Sequence, residues 1–125
     1  MTTKPVFAVE VDLARNLLRS RYSGHVTATA MQAAVEKGRE LLPGMKPGFA
    51  LLADWGQVEA MDFDCAPQIA ELMDLCGKQG VGLIVRVLPD PARDIGLNIL
   101  SIVHYRGKVR TVTCETAEEA EQALK

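Results

Sequence analysis

No stretch of the 125-residue chain approaches the ~20 consecutive apolar residues that a membrane-spanning helix requires. The opening segment, Met1 to Val6, also lacks the apolar core of a secretory signal. These absences predict a cytoplasmic protein without membrane insertion. Cysteine is sparse. Cys65, Cys76 and Cys114 are an odd count, far apart and with no C-x-x-C or Cys/His cluster, which argues against a disulfide framework or a zinc site. We read all three as reduced thiols. Neither sign of charge dominates: 14 Lys+Arg against 16 Asp+Glu leaves a net charge of −2, and no basic cluster offers a footprint for nucleic acid. The glycine-rich phosphate loops, the G-x-S-x-G elbow and the H-E-x-x-H zinc motif are all missing, so catalysis has no anchor and no cofactor is expected.

What the chain does have is a core. It is 48% hydrophobic, and a chain of this size buries roughly two-thirds of its unfolded surface, enough for one domain spanning residues 1–125. Val6 to Val11 and Leu17 to Tyr22 read as strands joined by a short turn-forming segment, hence an antiparallel hairpin closed by Gly24. Thr27 is placed to cap a helix with Met31, Ala34, Val35, Gly38, Leu41 and Leu42 inward, stopping before Pro43-Gly44. Phe49 to Ala53 is continuously apolar and predicts a central strand covered on both faces, ending at Asp54. Pro67 suits the first turn of a helix carrying Ile69, Leu72, Met73 and Cys76, with Gly77 and Gly80 at its end. Val81 to Leu88 is a second buried strand, and Asp90-Pro91 opens a helix running to Gly107. Val109 to Thr113 is a short strand, and Thr116 to Glu119 is a capping box for a last helix with Ala120, Ala123 and Leu124 inward. The order is ββαβαβαβα: an α/β fold with a mixed sheet, an N-terminal antiparallel hairpin and parallel β-α units.

In such sheets ligands sit beyond the carboxyl ends of the strands. There the segment Asp54 to Asp64 holds the single tryptophan, Trp55, with Met61 and Phe63, and the carboxylates Asp54, Glu59, Asp62 and Asp64. The carboxylates resemble no calcium loop, and their plain roles are a helix cap at Asp64 and a strand end at Asp54. Arg86 interrupts an apolar strand nearby and is expected to pair with Asp54 or Asp62. Cys65, at a helix start, is the one thiol whose position would favour a thiolate, although Asp62 and Asp64 oppose it. His25 and His104 have no partner at catalytic spacing. Leu97 falls on the polar side of the helix after Pro91 and is a candidate dimer contact.

The element order, with the Leu52-x-Asp54 strand end, Val58 four positions later and Asp62-Phe63 after that, resembles the STAS domain, the SpoIIAA-like fold of anti-sigma-factor antagonists. Within it the chain is most similar to the small stand-alone bacterial branch, through Lys46 to Phe49 and Asp94 to Gly96. The resemblance implies a protein-binding regulator. In STAS antagonists the residue after the aspartate is a serine that a kinase phosphorylates, and Phe63 holds that place here and cannot accept a phosphate.

The expectation is therefore a non-enzymatic STAS-like module, without that phospho-switch, binding a protein partner or itself. Its candidate surface comprises Asp54, Trp55, Met61, Asp62, Phe63, Asp64 and Arg86. The alternative is a small-ligand carrier or sensor for a lipid-like or nucleotide molecule, which predicts an apolar pocket between sheet and helices. A third reading is an enzyme built on Cys65 or on Asp54, Asp62 and Arg86.

Overall fold

A computed structural model describes residues 7–62, 65–88 and 109–125. Its strands are β1 (Phe7–Asp12), β2 (Leu17–Val26), β3 (Ala50–Met61), β4 (Leu83–Val87) and β5 (Arg110–Cys114). Its helices are α1 (Ala28–Leu41), α2 (Ala66–Gln79) and α3 (Ala117–Ala123). The strands form one sheet in sequence order, with β1 antiparallel to β2 and every later pair parallel. This is the expected mixed sheet with its hairpin. The helix expected between Pro91 and Gly107, with Leu97 and His104, lies outside the described residues, as does Val6.

Local chemistry starts and stops the elements as the residue types dictate. Thr27 Oγ1 accepts from the Ala30 N–H at 3.2 Å to open α1, and Thr116 Oγ1 accepts from the Glu119 N–H at 3.2 Å to open α3. Gly80 ends α2 with φ +94, a left-handed conformation that glycine adopts without a Cβ penalty. Gly77 lies inside α2 rather than at its end. The N-cap of α2 is Cys65, not Asp64 as expected, and Asp64 is outside the described residues.

Two layers of core explain the two unbroken apolar runs. On one face of the sheet Leu18, Tyr22, Leu51, Ala53, Trp55 and Ile84 pack with Met31 and Ala34 of α1 and Ile69, Met73 and Cys76 of α2. On the other, Leu17, Leu52, Val85, Val87 and Cys114 pack with Ala120 of α3. Strands β3 and β4 are thus covered on both sides, and alternation disappears from their sequences. Helix α3 is also held to β2 by charge: Glu121 accepts from Arg19 at 2.8 Å and lies 3.5 Å from Arg15. The hydrogen bond from Arg19, against a smaller effect of burial, holds the Glu121 carboxyl below the usual glutamate range.

The end of the sheet where β2 and β3 begin is knotted by backbone and amide bonds. Lys46-Pro47-Gly48-Phe49 is a turn closed by Phe49 N–H to Lys46 O at 3.1 Å, with φ +86 at Gly48, the type II pattern that wants proline then glycine. Asn16, itself at φ +51, donates through Nδ2 to Lys46 O at 3.1 Å, and its Oδ1 accepts from Lys46 N–H at 3.0 Å. Gly48 N–H then donates to Gly80 O at 2.7 Å, and Gly82 N–H to Phe49 O at 2.8 Å. The Asn16 amide therefore ties the hairpin turn to the entry of β3, and the Gly48 and Gly82 backbone bonds tie that entry to the α2–β4 turn.

Two strand ends differ from expectation. Gly24 does not close the hairpin: β2 runs on to Val26, with Gly24 at φ +67 beside a register shift. Strand β3 does not stop at Ala53 but runs on to Met61, 12 residues in all from Ala50, so most of the expected loop is strand. Replacing Asn16 tests the knot. Asn16→Ala loses two hydrogen bonds and places alanine in a left-handed conformation, and we expect a loss of about 2 kcal/mol in urea denaturation. Asn16→Gly, which loses the same bonds without the backbone strain, should be measurably less destabilised.

Candidate functional site

Beyond Asp54, β3 loses its neighbour on one side, because the register with β4 ends at Asp54↔Val87. Among the described residues it continues against β2 alone, through Ser23↔Gln57, Gly24↔Val58, His25↔Ala60 and Val26↔Met61. The register shifts twice along this ribbon, each time leaving an extra residue on β3. At the first bulge Asp54 Oδ1 accepts from the Gly56 N–H at 2.9 Å, and the carboxylate lies 3.8 Å from Arg21. Asp54 is thus a bulge-holding residue, paired on the face toward α3.

Those bulges decide which side chains point inward. Trp55 is 5% exposed and stacks on Tyr22 with ring centroids 3.9 Å apart and planes within 8°. Val58 is buried as well. Trp55 is therefore not an exposed partner anchor, which corrects the expectation. Tyr22 is buried, and that burial pushes its hydroxyl up to about 12 in spite of a hydrogen bond with Ser20; the nearby Cys76 thiol adds to the rise. Burial alone carries the Cys76 thiol to about 12.

Arg86 is also inside, at 2% exposure, with Ala53 as its register partner on the face toward α1 and α2. Strand alternation places Asp54 on the opposite face, so the expected Arg86–Asp54 pair does not form. Asp62, the other expected partner, sits past the end of β4 and takes His25 instead. With Arg86 buried and Asp54 committed to the bulge, neither belongs to an exposed surface. Cys65 is equally internal: it is fully buried, and its Sγ donates to Val26 O at 3.4 Å. A thiol so enclosed has no access to substrate, which removes the one cysteine with a positional case for reactivity. Cys114 is buried too and its thiol is raised, first by burial and then by Glu119.

What reaches solvent is the far end of the ribbon. Glu59, Ala60, Met61 and Asp62 are exposed there, as are Ala66 and Pro67 at the start of α2. Asp62 is fixed from several directions: its N–H donates to Val26 O at 3.0 Å, its carbonyl accepts from the Cys65 N–H at 3.0 Å, and Oδ1 lies 2.5 Å from His25 Nε2. Met61, beside these anchors, is one of two large hydrophobic side chains exposed among the described residues, at 36%; the other is Leu13 in the hairpin turn, at 68%. Sequence spacing gave no hint of the His25–Asp62 contact, because it depends on the register of a parallel pair 37 residues apart. Phe63 and Asp64 lie outside the described residues.

Between the sheet and helices α1 and α2 lies an apolar cavity of about 40 Å³, lined by Tyr22, Met31, Trp55, Ile69 and Met73, with Arg86 in its wall. Sites for drug-sized ligands occupy roughly 300–1,000 Å³. Among the described residues no group of three His, Cys, Asp or Glu side chains could hold a metal ion, and no helix is long and apolar enough to cross a membrane.

Two measurements check this interior. Trp55→Ala should cost about 3–5 kcal/mol in stability, as expected of a buried aromatic rather than an interface anchor. Tyr22 ionises near 10 in the unfolded chain and near 12 in the fold. Its neutral form is held fully below pH 10, so stability should fall as pH rises from about 10 to 12. Chemical denaturation across that range should show the slope in the native sequence and a shallower one in Tyr22→Phe.

No family model and no curated protein matches the chain by sequence. Solved structures do match by shape. An uncharacterised DUF3478 protein with a SpoIIAA-like fold from Shewanella loihica PV-4 superposes with a TM-score of 0.73 at 12% identity, covering 100% of this chain and 98% of that one. The Bacillus cell-fate determinant SpoIIAA in its phosphorylated form gives 0.62 at 15% identity, over 95% and 99% of the two chains. An anti-sigma-factor antagonist from Mycobacterium paratuberculosis gives 0.61 at 17%, over 99% and 98%. Near-complete coverage on both sides at these TM-scores establishes that this chain, with its antiparallel hairpin and parallel units, has the SpoIIAA-like fold.

Proposed function

We propose that the chain is a non-enzymatic regulatory module that binds a protein partner through the overhanging end of the β2–β3 ribbon and the start of α2. The observation that carries this reading is Met61: a flexible, exposed apolar side chain seated between residues whose backbone and side chains are fixed. Exposed apolar groups on a preorganised frame suit association, because little ordering entropy remains to be lost on binding. Two structural neighbours, the Bacillus and mycobacterial proteins, are named for cell-fate determination and anti-sigma antagonism, and this supports a protein partner over a substrate.

The module works without the phosphate switch of the SpoIIAA type. Bacillus SpoIIAA has a phosphorylated form, whereas Phe63 follows Asp62 here and offers no hydroxyl. Phe63 and Asp64, which follow Asp62 in the sequence, and Leu97, the candidate for self-association, lie outside the described residues. Three free thiols, all buried, suit the reducing cytoplasm. Among the described residues, the cavity of about 40 Å³ would have to grow several-fold to hold a lipid-like or nucleotide ligand, so we rank that reading second.

The test uses Met61→Asp. We expect capture from a lysate of the source cells, quantified against the native sequence, to lose a specific partner by tenfold or more, while thermal stability stays within about 0.5 kcal/mol of the original, as for other surface changes. Equal retention of every captured protein by Met61→Asp and the native chain would overturn the assignment of the surface.

A further inference from the structure

We draw no further inference here: the strongest candidate, the apolar cavity of about 40 Å³ between the sheet and helices α1 and α2 beside Arg86, has room for no more than a few waters, and nothing in the structure shows what fills it.

Discussion

The stacking of Tyr22 on Trp55 is the contact on which the outer half of the molecule depends. Past Val87, among the described residues, β3 pairs with β2 alone, and a two-stranded ribbon is marginal in water unless something covers a face. The stacked rings cover the base of that ribbon, one ring from each strand, and Met31, Ile69 and Met73 close over them from the helices. Aromatic pairs add roughly 0.5–1.5 kcal/mol beyond their buried area. Val26, Val58 and Cys65 continue the same core beneath the exposed end that carries Met61 and Asp62.

Bulges convert that packing into a surface. Each extra residue on β3 resets which side chain faces the core, so Trp55 and Val58, three apart, both point inward while Glu59, Ala60 and Met61 turn out. The cost of the first bulge is an unpaired N–H, and the Asp54 carboxylate meets it at Gly56. A residue that resembles a binding carboxylate in the sequence is thereby occupied in holding the strand. The same holds for Arg86 and Cys65, both polar or reactive by type and both interior by position.

Most of the architecture was legible in the residues because it rests on local rules. Thr27 and Thr116 cap helices, Pro67 sits in a first turn, and the apolar runs around Leu51 and Val85 announce strands covered on both sides. The candidate site was less legible. Alternation is the signal that identifies a strand, and two bulges erase it between Asp54 and Met61, so the segment reads as a loop rich in carboxylates. Val58, β-branched and apolar in the middle of that stretch, was the one hint of strand. The contact of His25 with Asp62 and the burial of Trp55 follow only once the register of β2 on β3 is known, and no local pattern encodes it.

The knot at the opposite end of the sheet has a consequence of its own. Asn16, Gly48 and Gly80 all have positive φ, and Asn16 and Gly48 meet Lys46 and Gly80 through backbone and amide bonds. A Cβ on Gly82 would fall 3.1–3.3 Å from the Gly48 backbone. That end therefore admits few side chains, whereas Glu59, Ala60, Met61 and Asp62 at the opposite rim stand in solvent. Tolerance to substitution is polarised along the strands: the floor is a fixed frame, and the rim is where sequence can drift, so one scaffold can present different faces without relearning how to fold.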